Sequence, residues 1–189
     1  MKNNLAIFAS GSGTNADAII RYFRKKNVTP VKLIVTNKAD AGVVEVANRH
    51  GIEVLILTKA TLNDSSFLLS ALRKKEIDWI ILAGFLLMIP PFLVQAYKNR
   101  MVNIHPSLLP KFGGKGMYGR HVHEAVLRAG EKKSGITIHY VTEEYDEGKI
   151  IFQAEAAVSS NDTIKSLEQK IHGLEHENYP VVIEKLVNL

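Results

Sequence analysis

The segment Leu5-Ala6-Ile7-Phe8-Ala9-Ser10-Gly11-Ser12-Gly13-Thr14-Asn15-Ala16 decides the fold of this chain. Its first half, Leu5–Ser10, is apolar and predicts a buried strand, and apolar residues at helical spacing follow at Ala16, Ile19, Ile20 and Phe23. Between them, Gly11–Ala16 matches the pattern G-x-G-x-x-G/A, in which glycines let the backbone approach a phosphate and a helix N-terminus supplies amide donors. The segment therefore predicts a strand, a phosphate-binding turn and a helix.

The end of the second predicted strand separates two interpretations of this turn. A dinucleotide site also needs an acid there, which holds the ribose hydroxyls. The chain has Thr36-Asn37-Lys38 at that position, and Asp40 comes only later. A bare phosphate site is therefore favoured over a nicotinamide site, and a tight turn without any ligand stays open as the alternative.

Strand patterns and helix patterns alternate along the rest of the chain. Further strands are predicted at Val31–Asn37, Glu53–Leu57, Ile77–Ala83, Met101–Ile104, Gly135–Val141 and Ile150–Val158. Helices are predicted at Val43–His50, from a cap at Asn63 or Asp64 to Glu76, from Pro91, at His121–Arg128, and from Asp162 onward with a kink or interruption at Pro180. This order predicts an α/β fold: one domain over residues 1–189, with three α-β-α layers around a central, mostly parallel sheet.

The composition limits the classes of molecule that the protein is expected to bind. The chain has 189 residues, no cysteine and a formal net charge of +5. The lack of cysteine excludes thiol catalysis, and the basic residues form no aromatic-interleaved stripe of the kind that binds single-stranded nucleic acid. The longest apolar run, Trp79–Val94, is interrupted by Pro90 and Pro91 and is too short to span a membrane. A small anionic partner therefore explains the charge balance as well as nucleic acid does, and no membrane-spanning segment is expected.

The first residues run directly into the first predicted strand. Met1–Asn4 carry no signal-peptide pattern. A cytoplasmic location is the expectation that follows.

A second informative segment is Val102-Asn103-Ile104-His105-Pro106-Ser107-Leu108-Leu109-Pro110. If the apolar run before it is a strand, Asn103 and His105 point to the same face, because side chains alternate along a strand. An amide that can donate to a developing oxyanion, beside an imidazole that can move a proton, is the minimum equipment for acyl transfer. The alternative is that the two polar residues merely begin a surface loop.

Histidine patterns elsewhere are weaker signals. His172–His176 matches the zinc-protease pattern H-x-x-E-H, but Gly173 lies inside the motif and no third ligand follows it nearby. His121 and His123 are two residues apart and therefore do not share a face of the predicted helix. We expect surface histidines, or histidines that only support a site, and no metal.

Four acids crowd the turn between the last two predicted strands: Glu143, Glu144, Asp146 and Glu147. Most acids in such a turn are solvated. An acid that lay beside His105, however, would favour the imidazolium and raise the pKa of His105 toward the working pH.

Taken together, the chain resembles the phosphoribosylglycinamide formyltransferase family over nearly its whole length. The segments that carry the resemblance are Ser10–Asn15, Thr36–Asp40, Leu82–Met88, Asn103–Pro110, Gly135–Val141 and the turn Asp146-x-Gly148. The resemblance implies a Rossmann-like formyltransferase fold. In it, the part up to about residue 100 would bind the phosphate and nucleotide, and the C-terminal part would hold the folate pocket and the catalytic residues.

The resemblance also implies a reaction of purine (IMP) biosynthesis. The amine of 5'-phosphoribosylglycinamide would attack the formyl carbon of 10-formyltetrahydrofolate through a tetrahedral intermediate. The folate would be a consumed cosubstrate, so neither a tightly bound cofactor nor a metal is expected. The expected partners are these two small anionic molecules, with no nucleic acid or membrane, and the protein would be a monomer or a homodimer.

Residue roles follow from the same resemblance. Asn103 would donate to the tetrahedral oxyanion, and His105, tuned by Asp146, would stabilise that oxyanion and relay protons. The acceptor-binding residues would be Gly13, Thr14 and Asn15 at the phosphate and Glu175 at the ribose hydroxyls. The folate-binding residues would be Leu86, Leu87, Met88, Ile89, Asn103, Thr142 and Asp146.

Two segments differ from the family pattern. The glycine-rich segment Phe112–Gly119 is longer than the loop usual at this point. The segment Thr61–Ser70 lacks the arginine that some members direct toward the folate, so we expect the folate tail to be held differently.

Three other functions compete with this interpretation. A methionyl-tRNA or amino-sugar formyltransferase shares the central motif, although the former normally carries a C-terminal RNA-binding domain that is not expected here. A formyltetrahydrofolate hydrolase normally carries a regulatory domain before the first strand, which is also not expected. A non-catalytic nucleotide-binding module would use only Gly11–Asn15 and would leave Asn103, His105 and Asp146 without a role.

Overall fold

A computed structural model describes residues 3–28 and 30–187, and its strands form a seven-stranded sheet in the order β3-β2-β1-β4-β5-β6-β7. The strands are β1 (Leu5–Phe8), β2 (Val31–Thr36), β3 (Glu53–Ile56), β4 (Trp79–Leu82), β5 (Met101–His105), β6 (Lys133–Tyr140) and β7 (Ile150–Ala157). The helices are α1 (Thr14–Lys25), α2 (Gly42–His50), α3 (Lys59–Asn63), α4 (Ser65–Lys74), α5 (Pro91–Ala96), α6 (Arg120–Arg128) and α7 (Ile164–Val187).

The direction of the strands explains where a ligand can bind. Strands β3, β2, β1, β4 and β5 are parallel, whereas β6 and β7 are added antiparallel. From β1 the chain first builds outward through β2 and β3 and then returns to place β4 on the other side of β1. Such a reversal leaves a crevice at the carboxyl ends of the strands, where ligands of open α/β sheets bind. The predicted mostly parallel α/β sheet is confirmed.

Two apolar cores pack against opposite faces of this sheet, and the side chains of β1 point alternately into one core and the other. Leu5 and Ile7 pack into the core that contains α1, α2 and α7, while Ala6 and Phe8 pack into the core that contains α4 and α5. Every residue of β1 is fully buried. The predicted three-layer arrangement is therefore confirmed.

The helix ends agree in part with the sequence signals. The Asp64 side chain caps α4 by accepting from the amide of Phe67 at 2.9 Å, as predicted. The single turn α3 was not expected, because five residues are too few to show helical periodicity. It is held by a capping box between Thr58 and Thr61.

Contrary to the prediction, the helix α7 is not interrupted at Pro180. It continues through this proline to Val187. Proline removes one backbone donor from a helix, so the continuation needs compensating contacts. Those contacts come from Tyr179, which is fully buried and whose hydroxyl lies 2.9 Å from the carbonyl oxygen of Leu82 and 3.3 Å from that of Val102. Burial of Tyr179 and its neighbours thus outweighs the lost helical bond.

Within the ranges described above, no helix combines the length and the apolar character that crossing a bilayer requires.

We expect Tyr179→Phe to lower the free energy of unfolding by about 1–3 kcal/mol, because buried carbonyls would lose a hydroxyl donor while the packing stays intact. Urea denaturation followed by circular dichroism measures the change. Tyr118→Phe is the matched control, since Tyr118 is 46% exposed. Equal losses in the two variants would show that the Tyr179 hydroxyl does not fasten α7 to the sheet.

Candidate active site

A cavity of about 610 Å³ opens beyond the carboxyl ends of β1, β4 and β5. All the residues predicted for the site line this one cavity: Gly13, Thr14, Asn15, Leu86, Leu87, Met88, Ile89, Asn103, His105, Thr142, Asp146 and Glu175. Side chains from the two halves of the chain therefore converge. Three regions of the cavity can be described separately: the α1 end, an apolar end, and a polar cluster between them.

The α1 end is shaped by two glycines with different roles. Gly13 has a φ of +78°, and a Cβ there would lie 2.7 Å from the Cα of Val43, so this position must be glycine. A Cβ on Gly11 would meet no atom within 4 Å, so glycine there leaves open space for a ligand. No side chain caps α1 at Gly13, and the first amides of this helix are left for an anion.

Asn15 and Glu175 form a polar pair at the same end. Asn15 Nδ2 donates to Glu175 Oε2 at 2.9 Å, and the Glu175 side chain belongs to the buried part of α7. Burial raises the pKa of Glu175, although the hydrogen bond from Asn15 opposes this effect. Asn15 Oδ1 is buried and has no partner among residues 3–28 and 30–187. Both side chains are thus placed on the cavity wall with hydrogen-bonding capacity to spare.

Asn37, the residue that follows β2, accepts a hydrogen bond that joins two segments of the chain. The hydroxyl of Ser10 donates to Asn37 Oδ1 at 2.5 Å and accepts from the amide of Leu86 at 3.0 Å. The Ser10 hydroxyl therefore links the ends of three segments. Asn37 lacks the carboxylate that a dinucleotide ribose requires. This arrangement favours the bare phosphate site over the nicotinamide site.

The charge on the cavity wall is unusual for a site expected to bind anions. Among the described residues that line it, Lys115 is the only lysine or arginine. The acids on the wall are Glu143, Glu144, Asp146, Glu168 and Glu175. A phosphate would therefore depend on the backbone amides of α1 more than on cationic side chains.

At the apolar end of the cavity, three large side chains are exposed to solvent. Leu86, Met88 and Tyr145 are 42%, 48% and 40% exposed, and all three line the cavity. Exposed apolar groups that share one concave wall are typical of a site that binds an apolar part of a ligand.

The polar cluster is assembled by the antiparallel pairing of β5 and β6. Asn103 lies opposite His139, and His105 lies opposite Thr137. Asp146 closes the cluster from the turn after β6, with its Oδ2 3.4 Å from His105 Nδ1 and its Oδ1 3.5 Å from His139 Nε2. The carboxylate thus lies between two imidazoles.

Backbone carbonyls fix the ring orientations of the two histidines. His105 Nε2 lies 2.8 Å from the carbonyl oxygen of Phe112, and His139 Nδ1 lies 2.9 Å from that of Tyr140. Because a carbonyl oxygen only accepts, these two nitrogens carry protons. In the neutral His139 ring, Nε2 then accepts from Asn103 Nδ2 at 3.1 Å, which orients the Asn103 amide. In the neutral His105 ring, Nδ1 is the free base and faces Asp146.

The charge predicted for His105 is wrong for the ligand-free site. Burial lowers the pKa of His105, and the attraction of Asp146 and the carbonyl of Phe112 do not fully offset it, so the pKa lies below its ordinary value. Burial raises the pKa of Asp146, but the neighbouring side chains of His139 and His105 and the hydrogen bond from the amide of Gly114 outweigh it and leave that pKa lowered. The resting pair is a neutral imidazole beside an ionised carboxylate.

Glycines next to the cluster allow this close packing. The amide of Gly114 donates to Asp146 Oδ2 at 2.8 Å. A Cβ on Gly113 would lie 2.5 Å from Leu109 Cδ2 and 3.3 Å from the Cβ of Asp146. A Cβ on Gly148 would overlap the carbonyl oxygen of Tyr140 at 1.6 Å. The segment Phe112–Gly114 therefore holds both His105 and Asp146 through its backbone.

Several cavity residues were not predicted: Gly114, Lys115, His123, His139, Glu168 and His172. A local signal existed for His139, because Thr137 and His139 alternate along β6 as Asn103 and His105 alternate along β5. The contacts of His123, Glu168 and His172 depend on how α6 and α7 pack. Those of Gly114 and Lys115 depend on the path of the glycine-rich segment, and no local pattern reveals either. No group of three or more histidine or acidic side chains in the described part of the chain could hold a metal ion.

The geometry predicts the protonation behaviour of His105. We expect its pKa in the free protein to lie below the ordinary histidine value, and Asp146→Asn to lower it further by removing the attracting charge. Histidine-resolved NMR titration measures both values. Glu143→Gln, a change to another acid of the same turn, is the control and should have little effect. A raised pKa of His105 in Asp146→Asn would contradict the assigned contacts.

The chain is similar to known proteins over nearly its whole length. A family model described as Formyl transferase matches residues 3–183. A chloroplastic phosphoribosylglycinamide formyltransferase of Arabidopsis thaliana is 45% identical over 188 residues, which cover 96% of this chain and 64% of that protein. The phosphoribosylglycinamide formyltransferase of Bacillus subtilis is 40% identical over 189 residues, which cover 97% of this chain and 94% of that protein.

Solved structures show the same similarity. The crystal structure of phosphoribosylglycinamide formyltransferase from Bacillus halodurans matches with a TM-score of 0.89 at 41% identity, covering 98% of this chain and 95% of that one. The chain spans less than two thirds of the Arabidopsis protein, 64%, but nearly the whole length of the two Bacillus proteins.

Proposed function

This chain belongs to the formyl transferase family, and from that premise we propose that it transfers a formyl group from 10-formyltetrahydrofolate to the amine of 5'-phosphoribosylglycinamide. The relatives that carry the name phosphoribosylglycinamide formyltransferase support this choice of acceptor. The single observation that carries the proposal is the cluster of Asn103, His105 and Asp146, which lies between an anion-binding end and an apolar end of one cavity.

The two ends of the cavity suit the two proposed substrates. The acceptor phosphate binds the first amides of α1 at Gly13, Thr14 and Asn15, and Glu175 accepts from the ribose hydroxyls. This assigns nucleotide binding to the part of the chain up to about residue 100, with Glu175 added from α7.

The folate rings lie against the apolar end. The residues that contact them are Leu86, Leu87, Met88, Ile89, Asn103, Thr142 and Asp146. Lys115, the lysine of the cavity wall, is available for an anionic substrate group. The folate is consumed in each turnover, so the proposal includes no tightly bound cofactor.

Formyl transfer begins when the neutral acceptor amine attacks the formyl carbon. The new carbon–nitrogen bond forms, and the formyl oxygen becomes an oxyanion. The Asn103 amide, oriented by His139, donates to that oxyanion. A well-placed donor of this kind contributes a factor of about 100–1,000 in rate, because the charge develops where the donor already points.

Proton transfer completes the reaction. The attacking nitrogen becomes positive and gives its proton to His105 Nδ1, directly or through water, and the Asp146 carboxylate stabilises the imidazolium that forms. His105 then returns the proton to the folate nitrogen as the bond from that nitrogen to the formyl carbon breaks. The products are the formylated amide and tetrahydrofolate. A neutral resting His105 suits this sequence, because the residue must first accept a proton.

The proposal is tested by offering the protein 10-formyltetrahydrofolate with each of three acceptors: glycinamide ribonucleotide, methionyl-tRNA and an amino-sugar nucleotide. We expect turnover with the first acceptor. Turnover with only one of the other two acceptors would show that the proposed acceptor is wrong. Hydrolysis of the folate without any acceptor would show that the protein is a hydrolase and not a transferase.

Two variants test the assigned roles. We expect His105→Ala and Asp146→Asn each to lower kcat by a factor of about 100–10,000, because each removes part of the proton path, while substrate binding is largely retained. Stopped-flow assays and calorimetric titration with the ribonucleotide measure the two quantities. Full activity of either variant would refute the mechanism.

A third variant tests the backbone support. Gly113→Ala inserts a methyl group against Leu109 and Asp146, so we expect a lower kcat with little change in the KM of either substrate. Gly173→Ala is the matched control, because its Cβ would meet no atom within 4 Å. The double variant Gly113→Ala/Leu109→Val relieves the Leu109 contact and separates misfolding from displacement of Asp146. Normal turnover of Gly113→Ala would show that the close approach is dispensable.

A further inference from the structure

His123 is a buried imidazole whose hydrogen-bonding capacity is unused. It lies on α6, is 1% exposed, and lines the cavity. Its Nδ1 is buried and has no hydrogen-bond partner among the residues that the structure describes. A buried polar atom without a partner is costly, and a cavity wall is where a ligand can supply the missing partner. The proposed mechanism gives this buried residue of the pattern His121-x-His123 no role.

The neighbours of His123 belong to the part of the cavity proposed for the acceptor, not to the part proposed for the folate. Glu168, His172 and Glu175 occupy one face of α7 at helical spacing and line the same cavity. Burial lowers the pKa of His123, the charge of Glu168 raises it, and the charges of His172 and His105 lower it. His123 is therefore within electrostatic range of both the α7 wall and His105.

The acceptor must extend from the α1 end of the cavity to His105. In the proposed function its phosphate lies at α1 and its amine reaches His105, so the sugar and the glycinamide linkage lie between them. A neutral imidazole can donate one hydrogen bond and accept another. A sugar hydroxyl or a carboxamide offers the complementary pair of groups.

We propose that His123 is an acceptor-binding residue, whose imidazole forms a hydrogen bond with the hydroxyl or carboxamide groups between the phosphate and the reacting amine. This inference rests on the proposed function for its ligand. It assigns His123 no part in moving the reacting proton. It also explains why the two histidines of the motif differ, since the His121 side chain is 60% exposed and lies beside Glu124.

The test compares His123→Leu with His123→Gln, because leucine removes both ring nitrogens and glutamine restores one polar group. We expect His123→Leu to raise the KM for glycinamide ribonucleotide about tenfold, the effect of one hydrogen bond, and to leave the KM for the folate within about twofold. His123→Gln should recover most of the loss. His121→Leu is the matched control and should change neither constant.

A merely structural role would give different results. Equal changes in both KM values, or no change in either, would overturn the proposal. Since a buried substitution can impair folding, the wild-type protein provides a second measurement. We expect glycinamide ribonucleotide alone to shift the imidazole nitrogen resonances of His123 in nitrogen-15 NMR, and 10-formyltetrahydrofolate alone to leave them in place. Unchanged His123 resonances in the ribonucleotide complex would also overturn it.

Calorimetry separates this inference from the proposed function. If the wild-type protein does not bind glycinamide ribonucleotide, the proposed function fails. If the wild type binds it and His123→Leu binds it equally well, only the role of His123 fails.

Discussion

The site depends on one partly enclosed carboxylate, that of Asp146. An acid of this kind is stable in its ionised form only if hydrogen-bond donors and opposite charges replace the water it has lost. Here the rings of His105 and His139 lie against its oxygens at 3.4 and 3.5 Å, and the amide of Gly114 donates to it at 2.8 Å. These groups belong to β5, β6 and the glycine-rich segment. The need to satisfy this carboxylate therefore fixes the relative positions of three parts of the chain.

The same constraint explains why the last two strands are antiparallel in a sheet that is otherwise parallel. Pairing β6 against β5 sets His139 opposite Asn103 and returns the chain to the cavity at the turn that carries Asp146. A parallel β6 would run in the same direction as β5 and would carry the following turn to a different place. The parallel strands supply the crevice, and the antiparallel pair supplies the polar cluster at its centre. The two substrates proposed for the protein then differ in what holds them, backbone amides at one end and apolar side chains at the other.

Much of this arrangement could be predicted from short stretches of sequence. The glycine turn after β1 and the pair Asn103 and His105 depend on strand alternation and helix ends, which are local properties. Asp146 and Glu175 could not be selected in this way, since several acids have similar local surroundings; resemblance to a family selected them. His139 has an alternating partner in Thr137 and was detectable in principle.

Other properties require the folded chain. The predicted cationic His105 is wrong because its pKa depends on how deeply the ring is buried, and burial results from contacts distant in sequence. Pro180 was expected to interrupt α7 because its lost hydrogen bond is local, whereas the packing of Tyr179 that outweighs it is not. The contact between Gly113 and Asp146 likewise joins residues far apart in the chain.

The central claim is that His105 and Asp146 act as one unit, with the carboxylate working only through the imidazole that it stabilises. A double-mutant cycle of kcat for His105→Ala, Asp146→Asn and the combined variant tests it most directly. We expect the combined variant to be no slower than the slower single variant, because either change already disables the pair. Losses that multiply in the combined variant would show that the two residues act independently and would contradict the account.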